Sequence, residues 1–301
     1  MRFPDLKRSS HPKTVAEAVE ILSNAERQAI AVSGGVSFIF ASHPGVEEVV
    51  FLRRLPLSYI RSREGGLEIG ATTLISELVE SKAVKTCAGG ILWDAARRIG
   101  STLNRNLITA GGNLVQPFIW SDLPTVALAL GAKFRVQGKK ARTIPAAEFF
   151  AQPPRDILEP GELLTEICFP AFPAPPRSAP SGDGNRTAYR KFALTENDFA
   201  ILKMAVVLDR RARLCREIAI VAGGGTVLPQ RLSRAEQVIL KKNASQSLVN
   251  QAADEAAAEI KLVKDIRCSE EYKRDVCRAL LREILEEILL DQESGEAWKL
   301  F

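Results

Sequence analysis

One run of residues limits what this chain can fold into. Pro170 to Arg186, "PAFPAPPRSAPSGDGNR", holds five prolines and two glycines. Proline fixes φ and removes a backbone donor, and glycine weakens regular structure, so no helix or central strand is expected to run through it. The run reads as a linker or long exposed loop over residues 173–186. Each flank then has to build its own core. The 301 residues suit about two domains at roughly 150 residues each.

The two flanks differ in pattern. Before the run, short strands and helices mix without strict alternation. Thr14 to Glu17 fits a capping box ahead of a helix. "AIAVSGG" and "EEVVFL" read as short strands. "LSYIRSREGGLEIGA" reads as a hairpin turning at Gly65-Gly66. "TTLISELVES" and "GGILWDAARRIG" are helical, the second ending at Gly100. "SDLPTVALALG" is a helix with Ser121 or Asp122 at its cap and Gly131 at its end. "AKFRVQG" and "LLTEICFP" are strands. The pattern argues for an α+β fold, not a regular parallel βαβ array. After the run come three strand-like stretches, "TAYRKFAL", "AILKMAVVLD" and "CREIAIVAGGG". Two helical patterns follow, "SLVNQAADEAAAEI" and "SEEYKRDVCRALLREILEEILL". Sheet first and helices second implies a small α+β domain.

Composition removes several function classes. The 41 basic and 36 acidic residues are interspersed, so a net charge of +5 reads as a solvated surface and not a nucleic-acid stripe. No stretch reaches the roughly 18 apolar residues of a membrane span. The first residues show no apolar signal-peptide core, so the expected compartment is cytoplasmic. The five cysteines, at 87, 168, 215, 268 and 277, form no C-x-x-C pair. Neither a disulfide framework nor a thiolate metal site is indicated. With His11 and His43 as the only histidines, a His-based catalyst has almost no raw material, and no catalytic or metal-ligating set is expected.

Two glycine pairs stand out. Ser33-Gly34-Gly35-Val36-Ser37 follows a strand directly, and Thr109-Ala110-Gly111-Gly112-Asn113 opens an uncharged stretch ending in Ser121-Asp122. Glycine admits positive φ and close approach of another group. Successive N–H groups in such turns make an anion-binding nest, and two nests can hold the two phosphates of one pyrophosphate. Neither pair matches G-x-G-x-x-G or G-x-x-x-x-G-K-[ST], so Rossmann and P-loop readings fail on spacing. From the residues alone, each pair reads first as a plain turn.

The order of the pieces adds a resemblance. "SGGVS" after a strand, "LEIGATT", "AARRIGSTLNRNLITAGGNL", "SDL" opening a helix, "IPAAEFF", "LEPGELLTEICFP", "YRKF" with "ND", and "VLPQRL" with Glu236 occur in that order. With the closing "EEYKRDVCRALL" they resemble the flavoprotein subunit of the molybdenum hydroxylase family, the medium subunits of xanthine and carbon monoxide dehydrogenases. The resemblance runs through nearly the whole chain. It implies an α+β, two-subdomain FAD-binding domain of the vanillyl-alcohol-oxidase (PCMH) type, residues 1–55 and 56–172. A small C-terminal domain with an antiparallel sheet and helices would fill 187–301.

By the same resemblance, FAD lies between the two subdomains, its pyrophosphate meeting Ser33, Gly34, Gly35, Val36 and Ser37 and also Thr109, Gly111, Gly112 and Asn113. In this reading Gly111 and Gly112 open main-chain N–H groups to phosphate. Ser121 and Asp122 match the segment near the flavin, and Thr72 and Lys191 hold family-like positions. Asp122 and Thr72 have a plain alternative as helix caps. Val36 departs from the family's polar residue, and Leu103 from its glutamine. Phe118 and Trp120 stand where small residues are commoner. They read as ordinary packing, or as stacking on flavin or facing a partner.

The implied role is electron transfer. Substrate is hydroxylated at molybdenum in a molybdopterin-binding large subunit. Electrons pass through two [2Fe–2S] clusters of another subunit to FAD, then to NAD+ or another acceptor. This chain has no cysteine pattern for either cluster, so both belong to partner subunits. No matched flavin segment contains a histidine, and neither glycine loop a cysteine, so the FAD is expected to be non-covalent. Two alternatives stay open: a family member without FAD that acts as a scaffold, and a free-standing flavin oxidoreductase.

Overall fold

A computed structural model describes residues 4–40, 42–118, 121–172, 183–211 and 214–291. Three sheets organise the chain. The first is small and parallel, in the order β1 (Arg8–Ser10), β3 (Glu48–Phe51), β2 (Ala29–Val32). Helix α1 (Val15–Ser23) crosses between β1 and β2. Its Thr14 cap forms as expected, with Thr14 Oγ1 accepting from the Glu17 N–H at 3.2 Å. The Glu17 carboxylate returns to the Lys13 N–H, one residue earlier than a strict capping box. The parallel pairing went unread in the sequence, because β1 is three residues with two of them exposed.

The second sheet runs β4 (Ile60–Arg63), β5 (Gly66–Gly70), β8 (Leu163–Phe169), β6 (Lys133–Gln137), β7 (Ala141–Pro145), all antiparallel. The expected hairpin is β4–β5, with Glu64 and Gly65 both at positive φ. Eight short helices pack around this sheet: α2 (Ile75–Glu80), α3 (Lys82–Thr86), α4 (Ile91–Arg97), α5 (Thr102–Arg105), α6 (Ala110–Val115), α7 (Leu123–Ala129), α8 (Ala146–Phe149) and α9 (Pro154–Ile157). Their apolar faces and the sheet close one core around Leu67, Ile69, Leu92, Phe134 and Phe149. All of α7 is buried.

The third sheet is antiparallel, in the order β12 (Gln230–Arg231), β11 (Leu214–Gly223), β10 (Leu202–Arg211), β9 (Gly184–Phe192). One face carries α10 (Ser233–Ile239), α11 (Gln246–Glu259) and α12 (Glu270–Leu290), around a separate core that includes Met204, Ile220, Leu281 and Leu285. The other meets α7, where Val221 and Ala205 join the first core. Strand β9 starts at Gly184, so the last three residues of the stretch read as linker are already sheet. Residues 173–182 of that stretch lie outside the described residues.

Candidate FAD site

The first glycine pair is an open loop. It leaves β2 at Ser33, and Gly35 takes φ +76°, a left-handed value that suits glycine. Gly34 is there for another reason: a Cβ would overlap the Leu107 carbonyl oxygen. The N–H groups of Gly34, Gly35, Val36 and Ser37 donate to no acceptor among the described residues. Ser33 Oγ is buried without a partner. Ser37 Oγ reaches Gln116 Oε1 at 3.3 Å, at the end of α6. The loop therefore packs against residues 107–116 with its donors unspent.

The second glycine pair is not a loop. Thr109 caps α6, and Gly111 and Gly112 form its first turn with no positive φ. The donors expected to face phosphate are engaged: Gly111 N–H donates to Ala71 O at 2.8 Å, and Gly112 N–H to Thr109 Oγ1 at 3.2 Å. These glycines serve close packing. A Cβ on Gly111 would sit 2.7 Å from Ala71 O, and one on Gly112 2.9 Å from Thr109 Oγ1. The sequence pattern did not separate a glycine turn from a glycine-rich helix start.

Thr72 does not cap a helix. Helix α2 starts at Ile75, where the Glu77 carboxylate takes the Leu74 N–H at 2.7 Å. Thr72 Oγ1 is buried and has no partner. It follows Ala71, whose carbonyl holds Gly111, and precedes Thr73, whose carbonyl accepts from Ala110 N–H at 2.8 Å. Two orphaned hydroxyls, Ser33 and Thr72, thus flank residues 107–116. An unsatisfied buried hydroxyl costs about 1–3 kcal/mol, so both fit a missing polar ligand.

Arg105 fixes the turn before α6. Its Nη1 donates to the carbonyls of Arg97, Ile99 and Gly100 at 3.0, 3.3 and 2.7 Å. Asn113 acts inside the protein as well, its Oδ1 accepting the Leu123 N–H at 3.3 Å. That bond ties α6 to the start of α7.

Ser121 and Asp122 precede α7, and neither side chain caps it. Asp122 is in helical conformation with no side-chain cap bond, and Ser121 Oγ accepts from Phe118 N–H at 3.2 Å. The Asp122 carboxylate is fully buried. It accepts from Tyr189 Oη at 2.6 Å and Lys191 Nζ at 3.1 Å, with Lys203 Nζ at 3.4 Å. Lys191 also donates to Arg98 O at 2.8 Å, and Lys203 to Ser121 O. Burial raises the Tyr189 hydroxyl well above its ordinary pKa, and the Asp122 charge adds to it. Asp122 is thus a junction between α7 and strands β9 and β10. Tyr189 and Lys203 were missed from the sequence. A lone lysine inside the apolar run "AILKMAVV" was the available signal.

Phe118 is half-buried, while Ile119 and Trp120 lie outside the described residues. Two features sit apart from the glycine pairs. A cleft of about 970 Å³ lies between α1 and the second sheet, lined by Val19, Leu57, Tyr59 and Arg135 among others. Nearby, Glu68, Glu166 and Cys168 cluster. Arg135 pairs with both carboxylates, Tyr59 Oη donates to Glu166 at 2.8 Å, and burial pushes the Cys168 thiol up to about 12. The group is satisfied internally.

Comparison with known proteins agrees with this architecture. The profile of the FAD binding domain in molybdopterin dehydrogenase matches residues 6–172, and that of the CO dehydrogenase flavoprotein C-terminal domain matches 187–288. The chain is 28% identical to the carbon monoxide dehydrogenase medium chain of Hydrogenophaga pseudoflava, over 91% of this chain and 94% of that one. It is 28% identical to the nicotine 6-hydroxylase medium subunit of Paenarthrobacter nicotinovorans, over 95% and 98%. A solved carbon monoxide dehydrogenase from Hydrogenophaga pseudoflava superposes with a TM-score of 0.85 at 27% identity, covering 96% of this chain and 99% of that one. The fold and its ordered motifs define an α+β flavoprotein module. The chain belongs to the FAD-binding subunits of the molybdenum hydroxylase family, and is an oxidoreductase component.

Proposed function

We propose that this chain is the electron-transfer subunit of a molybdenum hydroxylase complex. It holds FAD non-covalently and receives electrons from the [2Fe–2S] clusters of one partner. A second partner carries molybdopterin, and NAD+ or another acceptor takes the electrons away. The complex works in the cytoplasm. Ser33 to Ser37, Thr72, Thr109, Gly111, Gly112, Asn113, Ser121, Asp122 and Lys191 form the cofactor set. The observation that carries the reading is the first loop, with four unspent N–H groups and the orphaned Ser33 hydroxyl, together with a second orphaned hydroxyl at Thr72. Those groups suit a pyrophosphate.

FAD, when bound, supplies the redox chemistry, and the chain supplies position and charge. Gly34, Gly35, Val36 and Ser37 donate through their main chain, so Val36 contributes without a polar side chain. Ser33 and Thr72 add hydroxyls. Thr109, Gly111, Gly112 and Asn113 act one step back, as the rigid capped turn against which that loop is held. Ser121, Asp122 and Lys191 fix the start of α7 to the C-terminal sheet.

The engaged donors of α6 and the loss of a polar side chain at Val36 favour a second reading, a scaffold subunit without FAD. Thr72→Val separates them. The substitution is near-isosteric and removes an unpartnered hydroxyl, so stability should hold or rise. Weaker FAD retention with an unchanged melting temperature supports the cofactor site. Unchanged flavin content contradicts it.

A further inference from the structure

The seam between the first glycine loop and α6 has two marked ends. At one, Gly34 rests on the Leu107 carbonyl with no room for a side chain. At the other, Ser37 Oγ donates to Gln116 Oε1 at 3.3 Å. Between them runs α6, Ala110–Val115, about 9 Å long at about 1.5 Å per residue. Gly112 of that helix is exposed, although Gly111 and Asn113 beside it are buried. The N–H groups of Gly34, Gly35, Val36 and Ser37, which donate to no acceptor among the described residues, belong to the loop along this seam.

Gln116 is the side chain at the second end. It follows the last residue of α6, its own N–H donates to Gly112 O at 3.3 Å, and it is exposed. A carboxamide has an oxygen that accepts and a nitrogen that carries two donors. The oxygen is taken by Ser37, and Nε2 meets no acceptor among the described residues. One end of the amide is thus tied to the last residue of the loop, and the other end holds two N–H groups unspent. The loop itself offers no equivalent. Val36 is apolar, and the Ser37 hydroxyl gives its proton to Gln116.

We propose that Gln116 is a phosphate-binding side chain of this loop, its Nε2 supplying the amide donor that Val36 does not. The inference rests on the FAD reading above, and adds to it a residue outside both glycine pairs. The Ser37 bond occupies Oε1, so the face that the amide keeps for a ligand is its donor face. A donor already held in place loses less freedom on binding. Hydrogen bonds to a charged acceptor are the stronger kind, so a single amide has a measurable effect on a phosphate.

The test uses the full chain freed of flavin. FAD affinity is read by titration, and the melting temperature of the flavin-free chain is read on the same samples. Gln116→Ala should weaken FAD binding about tenfold, the size of one hydrogen bond to a charged group. Its melting temperature should stay native, because the side chain is exposed. Gln116→Glu keeps the shape and replaces the donor with an anion. It should weaken binding further, and added salt should relieve part of the extra loss. Val36→Gln in the Gln116→Ala chain returns an amide to the loop and should recover affinity. Native affinity in either Gln116 variant overturns the inference. If Gln116→Ala also lowers the melting temperature, the Val36→Gln rescue decides: recovered affinity supports the inference, and none overturns it. A native chain that takes up no FAD, alone or with its partners, overturns the FAD reading itself and this inference with it. Native uptake with indifferent Gln116 variants overturns this inference alone.

Discussion

Lys203 shows how one residue can work against the stability of its own fold. Burial lowers its ammonium to about 8 from 10.5, Asp122 opposes that shift, and Lys191 reinforces it. A base whose folded pKa lies below its unfolded value holds its proton less well when folded. Between about pH 8 and 10.5 the unfolded chain carries a proton that the folded chain has lost. The contribution of Lys203 to stability therefore rises with pH across that window, and the penalty is largest below it. Lys203→Met removes the dependence. At pH 7 the variant should melt at or above the native temperature, and the gap should narrow toward pH 10. A variant that melts lower at pH 7 would mean that the ammonium binds Asp122 and Ser121 more strongly than burial penalises it. Gly112 carries a related lesson. Its restriction is the 2.9 Å approach to Thr109 Oγ1 in a helical turn, so a side chain there disturbs a cap worth about 1 kcal/mol and not a left-handed turn.

At the scale of elements, the contact between α7 and the C-terminal sheet depends on a missing side chain. A Cβ on Gly223 of β11 would overlap Thr125 Oγ1 and come 3.0 Å from Lys203 Cε. Gly223→Ala should separate α7 from β11 and cost about 1–3 kcal/mol, the range for overpacking in a close-packed interior. The measurement is the urea midpoint, and an unchanged value contradicts this account of the junction. Element type was legible where periodicity and turn chemistry agreed: the β4–β5 hairpin at Gly65, α1 behind Thr14, and α12 with its buried stripe from Val276 to Leu289. It was not legible where tertiary contacts decide. Strands β1 and β7 are short and largely exposed, so neither shows a clear buried face. Helix α6 opens Ala-Gly-Gly, which propensity alone assigns to a turn. It is helical because Thr109 caps it and Ala71 and Thr73 take its first N–H groups. In the candidate site the first glycine pair could be read from the sequence. The pairing of Asp122 with Tyr189 and Lys203 could not, since those residues are 67 and 81 positions away in the chain.

At the scale of the whole molecule, two cores are joined through α7, β10 and β11, and the junction lies one hydrogen bond from the glycine-rich turn. A subunit built this way can couple the position of its C-terminal sheet to the glycine-rich turn. No helix among the described residues is long and apolar enough to cross a membrane. The five cysteines are free thiols. Both histidine rings are engaged locally, His11 stacked on Phe51 and His43 on Phe38. The flavin is accordingly expected to be held by hydrogen bonds and packing, without a covalent link. The measurement that tests the central claim most directly is the flavin content of the chain purified with the subunits that accompany it, followed by trichloroacetic acid precipitation. The account predicts about one FAD per chain, by the usual one-site stoichiometry of a preformed pocket, all of it in the acid supernatant. A colourless protein that takes up no FAD when supplied with it, or a yellow acid pellet, would contradict it.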